Sequence, residues 1–97
     1  MEFVWDEKKN RLNLEKHRIG FVQVVPAFFD PMRKEYYDDT HSSFDEDRYI
    51  LAGFALDSVL IVSFTEPEPD TFCIISARRA KPHEVEVYYY GNGNLYS

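Results

Sequence analysis

Cysteine is nearly absent from this sequence, and so are long apolar runs. The 97 residues include a single cysteine, Cys73, so no internal disulfide can form, as is typical of proteins in a reducing cytosol. No apolar run approaches the ~18 residues of a transmembrane helix. The first residues also lack a basic segment followed by an apolar one. We therefore expect a cytoplasmic protein without a signal peptide or membrane span.

Sequence motifs for metals, phosphates and nucleotides are missing as well. The chain has no Cys/His zinc pattern, no P-loop and no GxGxxG, and the acidic stretch Asp45 to Asp47 lacks the spacing of a calcium loop. These absences predict that no metal and no cofactor is bound. The length and the lack of repeats predict one domain over residues 1–97, with residues 91–97 as a frayed tail.

Positive charge is scarce, but it is concentrated towards the two ends of the chain. The net charge is -6, yet residues 1–34 contain seven Lys or Arg against five Asp or Glu. Residues 78–97 contain three against two, whereas residues 35–77 contain only Arg48 against ten. The net charge argues against a general nucleic-acid binder. If the fold joins the two ends, they would form a local basic patch, and local potential governs phosphate binding.

Apolar periodicity and turn residues predict an α+β domain with the order β-α-α-β-β-β-β-α. Strands are predicted over residues 2–5, 33–39, 48–56, 59–66 and 71–79. Helices are predicted over residues 8–17, ended by Gly20, over 21–29, and from Pro82 to a cap at Gly91. Short turns between strands predict an antiparallel sheet of four to five strands, with two to three helices packed on one face. Residues 59–66 are apolar on both faces and should be central.

The last predicted strand ends in two adjacent arginines, Arg78 and Arg79. Strict alternation places Ile74 and Arg78 on one face and Ala77 and Arg79 on the other. Guanidinium groups suit phosphate oxygens, but an ion pair with a carboxylate such as Glu66 explains them equally well. The two readings are compatible, because a carboxylate can hold an arginine ready for a ligand. Antiparallel pairing would place Glu66 far from both arginines.

The first predicted helix has a polar stripe made of Lys9, Asn13, Lys16 and His17. These four side chains lie within about a third of the circumference of the helix. They either form a cationic, hydrogen-bonding surface with a titratable imidazole, or a solvated face in which the helix dipole favours His17. For a helix considered alone, the solvated face is the more common situation.

Five stretches of the chain together resemble the BrnT toxin family, in the order found there. They are "WDEKKNRLNLEKHRIGF" (5–21), "FFDP" (28–31), "DEDRYI" (45–50), "FTE" (64–66) and "ISARRA" (75–80). The resemblance runs from Phe3 to about Ala80. The chain departs from the family pattern in "PEPDTFC" and "KPHEVEVYYY", because these segments are acidic or neutral where the family tends to be basic.

This resemblance implies a RelE-like fold and the toxin of a type II toxin–antitoxin system. Such a toxin is a metal-independent endoribonuclease that cleaves mRNA and inhibits translation. A BrnA-like antitoxin neutralises it, and the complex contacts DNA only through the antitoxin. By correspondence with the family motifs, the catalytic candidates are Arg78, Arg79, His17 and Glu66. The substrate-binding candidates are Lys9, Lys16 and Arg48. The alternative is a catalytically silent BrnT-like protein that binds the antitoxin and regulates its operon.

Overall fold

A computed structural model describes residues 1–91 and residue 95, and it confirms the α+β class. The strands are β1 (Glu2–Trp5), β2 (Lys34–Tyr37), β3 (Tyr49–Ala55), β4 (Ser58–Glu68) and β5 (Thr71–Arg79). The α-helices are α1 (Glu7–His17) and α2 (Pro82–Tyr90), and two 3₁₀ turns span Phe21–Gln23 and Val25–Phe29. Apart from residues 91 and 95, the tail predicted to be frayed lies outside the described residues. Within them, no helix has the length and apolar character to cross a membrane.

The five strands form one sheet in the order β1-β5-β4-β3-β2. β4 is central, as expected from its apolar residues on both faces. The sheet is mixed rather than wholly antiparallel, because β1 runs parallel to β5. The antiparallel prediction rested on the short connections between β2 and β5. Those connections place no constraint on β1, which is joined to the rest of the sheet only through α1.

The helices cover both faces of the sheet, so the prediction that they share one face was wrong. The 3₁₀ turns and the residues just before them cover a core that includes Ile19, Phe21, Val24, Phe28, Leu51, Leu60, Val62, Phe64 and Ile74. α2 covers a second core, in which Val87 and Tyr88 pack on Ile50, Ala52, Val59 and Ile61. The physical reason lies in β3 and β4. Both strands carry apolar side chains on both faces, and both faces must be removed from water.

A β-bulge in β5 changes which of its residues share a face. Ser63 of β4 pairs with Ser76, but the next residue, Phe64, pairs with Ile74, so Ile75 is an extra residue. As a result Ile74 and Ala77 both enter the core beneath the 3₁₀ turns. Strict alternation had placed them on opposite faces, and that prediction was wrong. After the bulge, Ala77 remains in this core, while Ser76 lies on the face that α2 covers.

α1 ends three residues earlier than the glycine that was expected to stop it. At its start, Asp6 Oδ1 accepts a hydrogen bond from the Lys8 backbone N–H at 2.7 Å. At its end, Arg18 takes a left-handed conformation with φ 61°, and its N–H donates to the Leu14 carbonyl at 2.9 Å. Gly20 instead begins the 3₁₀ turns with a φ of -89°. Lys16 and His17 therefore belong to the last turn of α1.

Candidate functional site

The C-terminal half of β5 has an edge that no strand covers. β1 pairs with β5 only as far as Ile74, and α1 lies along the rest of the edge. Asn13 connects the two elements. Its Oδ1 accepts from the Ala77 backbone N–H at 3.0 Å, and its Nδ2 donates to the Ile19 carbonyl at 2.9 Å. Asn13 thus takes the place of a strand partner and fixes the last turn of α1 beside the end of β5.

The last turn of α1, the end of β5 and the loop after β2 surround a cleft of about 410 Å³. Its floor spans β3, β4 and β5 and consists of Ile50, Ile61, Ser63, Ser76 and Ala77. The polar and charged residues around the floor are Lys16, His17, Asp38, His41 and Arg78. A groove of about 230 Å³ adjoins the cleft, shares Lys16, His17 and Ser76 with it, and continues along α1 to Lys9. The predicted polar stripe of α1 therefore lines a continuous basic channel.

Arg78 faces the cleft while bound to a carboxylate of α2. Its Nη1 and Nη2 donate to the two carboxylate oxygens of Glu84 at 2.7 and 2.8 Å. Nη1 also contacts the Arg79 carbonyl at 3.3 Å. A guanidinium has five N–H donors, so two remain for an anion in the cleft. The predicted ion pair thus exists, but its partner is Glu84 and not Glu66.

Arg78 and Glu84 each stabilise the charged form of the other. The hydrogen bonds to Glu84 raise the pKa of Arg78, although its partial burial acts in the opposite direction. The hydrogen bonds from Arg78 lower the pKa of Glu84, although burial raises it. Glu84 also accepts a hydrogen bond from the Lys81 N–H at 2.7 Å, which caps the start of α2. The side chain of Arg78 is 34% exposed and that of Glu84 is 8% exposed, so the pair presents a positive side to the cleft.

Sequence reasoning missed two residues of the cleft, Asp38 and His41. Asp38 Oδ2 lies 2.8 Å from Nδ1 of His41, and Asp38 Oδ1 accepts from the His41 backbone N–H at 3.3 Å. Only the three-residue spacing of Asp and His hinted at this contact, because an Asp side chain readily bonds to a residue a few positions on. The surrounding acidic loop concealed that signal.

The structure separates three of the predicted site residues from the cleft. Arg79 is exposed beyond its lining, and its Nη1 lies 3.4 Å from the His17 carbonyl. Glu66 lies five residues along β4 from Ile61, the partner of Arg78, which is a distance of roughly 16 Å. Its Oε2 accepts from the Asp70 N–H at 2.9 Å. Arg48, at the same acidic end, donates to Glu46 at 2.9 Å.

Among the described residues, only three polar or charged side chains are buried, and all three support the cleft. Asn13 fixes α1 to β5, Asp38 holds His41, and Glu84 holds Arg78. Burying a carboxylate is costly unless it is paired and hydrogen-bonded. The placement of all three at one site makes this cleft the candidate functional site. No three His, Cys, Asp or Glu side chains in the described part of the chain are grouped as metal ligands.

Comparisons with known proteins identify the family and the fold of the chain. The family model described as the BrnT ribonuclease toxin of type II toxin–antitoxin systems matches residues 5–84. The 1.1 Å crystal structure of the Brucella abortus ribonuclease toxin BrnT has a TM-score of 0.68 to this chain. That toxin is 24% identical, the match covers 84% of this chain and 97% of that one, and it shows a shared fold. None of the curated proteins compared with the chain matches it. Because the family model covers most of its length, this chain belongs to the BrnT family of ribonuclease toxins.

Proposed function

We propose that this protein is a metal-independent endoribonuclease that cleaves mRNA in the cleft between α1, β5 and the loop after β2. The observation that carries the proposal is the meeting of His17, Lys16 and Arg78 at one cleft, with Lys9 along the adjoining groove. Anchored by buried polar residues, these side chains provide a titratable group and fixed cations. The family membership gives the reaction class.

RNA cleavage without a metal requires three groups, and Arg78 and His17 are suited to two of these roles. A base must take the 2′-hydroxyl proton, cations must stabilise the phosphorane, and an acid must protonate the leaving 5′-oxygen. Arg78 is suited to the phosphorane because Glu84 holds its planar guanidinium in one orientation. His17 is suited to proton transfer, since an imidazole can both accept and donate a proton. Arg79 lies outside the cleft and supports the site indirectly, because its guanidinium contacts the His17 carbonyl at the end of α1.

Glu66 and Arg48 receive no catalytic or RNA-binding role in this proposal. Both lie at the end of the sheet where Asp45, Glu46 and Asp47 gather, and this acidic surface repels phosphate. The basic groove instead runs from Ser76 along α1 to Lys9. An acidic protein can therefore bind RNA locally, because the lysines of the groove line a different surface from the carboxylates around Glu66.

An antitoxin partner follows from the toxin family, and we propose a BrnA-like protein that covers the basic cleft. A segment with acidic residues would complement Lys9, Lys16 and Arg78. Contact with DNA would then come only through the antitoxin. Co-expression with the product of the adjacent gene followed by affinity purification should recover a stable complex. A soluble neighbouring protein that does not bind would contradict this partnership.

A silent, antitoxin-binding protein is the second candidate, and the Arg78–Glu84 pair is the observation that favours it. Glu84 neutralises much of the charge of Arg78 and occupies two of its donors. In this reading the cleft binds the antitoxin but does not stabilise a phosphorane. The two candidates differ in one respect, which is whether the isolated chain degrades RNA.

Induced expression in cells tests the proposal. The unaltered chain should arrest growth and fragment cellular mRNA, and co-expression of the antitoxin should prevent both. Arg78→Ala should relieve the arrest, because one transition-state contact to a developing oxyanion is worth roughly a hundredfold in rate. The matched control is Arg11→Ala, an exposed arginine of α1 that does not line the cleft. Normal growth and intact RNA with the unaltered, soluble chain would favour the silent alternative.

A further inference from the structure

Two imidazoles flank the cleft. His17 approaches from α1 beside β5, and His41 approaches from the loop after β2. Between them lies a floor formed by β5, β4 and β3, and both imidazoles line the cleft above this floor. A phosphodiester lying over Ser63 and Ser76 on this floor would have one imidazole on each side.

His41 is held in a defined orientation although its ring is exposed. Its side chain is 64% exposed, whereas that of Asp38 is only 2% exposed. Asp38 is also fixed through its backbone, because its N–H donates to the Arg48 carbonyl at 2.8 Å and its carbonyl accepts from the Ser42 N–H at 3.0 Å. The buried carboxylate therefore stays in place and orients the exposed ring.

The chemistry of a carboxylate determines which nitrogen of His41 is available. An ionised carboxylate only accepts hydrogen bonds, so Nδ1 of His41 carries the proton that points to Asp38. Nε2 is then left with a lone pair. A carboxylate that orients the Nδ1–H of a base in this way also stabilises the imidazolium that forms when Nε2 takes a proton. If the contact between Asp38 and His41 served only to hold the loop, the imidazole ring would not need to face the basic cleft.

We propose that His41 is the general base of this site, that Asp38 is its positioning residue, and that His17 is the general acid; this assignment rests on the proposed function. Nε2 of His41 accepts the proton of the 2′-hydroxyl, and the 2′-oxygen forms a bond to phosphorus. The bond between phosphorus and the 5′-oxygen breaks, and the imidazolium of His17 donates its proton to that oxygen. The products are a 2′,3′-cyclic phosphate and a 5′-hydroxyl, and the two histidines exchange protons with solvent before the next turnover.

A substrate with sulfur in place of the leaving 5′-oxygen separates the two histidine roles. A thiol has a pKa near ~8.5, so a thiolate leaves without help from an acid. His41→Gln should lower kcat on the ordinary RNA about a hundredfold with KM almost unchanged, and the sulfur substrate should not restore it. His17→Gln should lose activity on the ordinary RNA and regain it on the sulfur substrate. His83→Gln is the matched control, because His83 is on α2 and does not line the cleft; it should cleave at the unaltered rate.

A double variant tests whether Asp38 acts through His41. Asp38→Asn alone should reduce kcat at least about tenfold, because the amide cannot favour the required tautomer. Combined with His41→Gln, it should cost no further activity, since residues that act as a unit are not additive. A merely structural role for Asp38 would give additive losses and a lowered Tm in both backgrounds. Additive losses would overturn its assignment as the positioning residue.

The outcomes distinguish this inference from the proposed function. If the unaltered protein cleaves RNA and His41→Gln cleaves equally fast, the base assignment is overturned and the proposed function stands. If sulfur restores His41→Gln, then His41 is the acid and the assignment is reversed. If the unaltered protein cleaves neither substrate, both the inference and the proposed function are overturned.

Discussion

At the scale of single residues, the site depends on a few buried polar groups that hold exposed ones. Glu84 illustrates this, because one carboxylate caps α2 through Lys81 and also binds both terminal nitrogens of Arg78. The lowered pKa of Glu84 means that it contributes stability while ionised. This contribution is fully present above its ordinary pKa of 4.5 and is lost as the pH falls through the folded-state value.

Replacement of Glu84 by glutamine should therefore change stability in a pH-dependent way. Glu84→Gln retains an oxygen for the Lys81 N–H but removes the charge that pairs with Arg78. We expect a loss of about 1–2 kcal/mol at neutral pH, reduced by solvent screening because Arg78 is one-third exposed. The difference from the unaltered protein should shrink as the pH falls below 4.5 and through the lowered folded-state pKa at which Glu84 itself becomes neutral. Urea unfolding at several pH values measures this, and a pH-independent difference would contradict the ion-pair account.

At the scale of elements, the sequence predicted most strands and helices, but it did not predict for every strand which side chains share a face of the sheet. Every predicted strand exists and β4 is central, because continuous apolar runs are a strong local signal. The bulge at Ile75 was not predictable, since it arises from the pairing of β5 with β4 and leaves no local pattern. The segment around Pro26 is helical, but as two 3₁₀ turns, because proline and β-branched residues disfavour a regular α-helix.

The candidate site was predictable only where its residues belong to family-like motifs. His17, Lys16 and Arg78 occur in such stretches, and the fold brings them to one cleft. Asp38 and His41 were missed, because their contact depends on how the loop between β2 and β3 closes. Glu66 was included for its motif alone, although antiparallel pairing already indicated that it lay at the distant end of β4.

The close packing of the 3₁₀ turns on β3 gives a prediction at this scale. A Cβ added to Gly53 would lie 2.6 Å from the Ala27 carbonyl oxygen, which is backbone and cannot rotate away. Gly53→Ala should therefore destabilise the protein by about 1–3 kcal/mol through overpacking. Gly20→Ala is the control, because its Cβ would meet nothing closer than 3.5 Å. Equal unfolding free energies for the two variants would contradict the packing described for the second 3₁₀ turn.

At the scale of the whole molecule, the acidic chain has several of its basic residues, Lys9, Lys16 and Arg78, around the cleft and the adjoining groove. The two ends of the chain meet there, since α1 lies beside β5 and Arg78 contacts α2. The middle of the sequence forms an acidic surface around Glu66. The uneven charge of the sequence thus becomes a spatial separation, and we expect net charge alone to be a poor guide to RNA binding.

Binding of single-stranded RNA should accordingly show a salt dependence that arises from the groove lysines. With a 2′-O-methyl RNA, which cannot be cleaved, log Kd should depend linearly on log salt. Lys9→Gln and Lys16→Gln should each reduce the slope by about 0.7, the value for one phosphate contact on a single strand. Lys8→Gln is the matched control, because Lys8 lies on another face of α1. An equal reduction by Lys8→Gln would show that the groove is not the binding path.

Cleavage of RNA by the purified, antitoxin-free protein is the most direct test of the account. The protein would be incubated with single-stranded RNA in the presence of a metal chelator, and the fragment ends identified by mass spectrometry. The account predicts 2′,3′-cyclic phosphate and 5′-hydroxyl ends, with the rate lowered about a hundredfold by Arg78→Ala and unchanged by Arg11→Ala. Intact RNA after incubation with the folded, unaltered protein would contradict it, as would fragments produced equally well by Arg78→Ala.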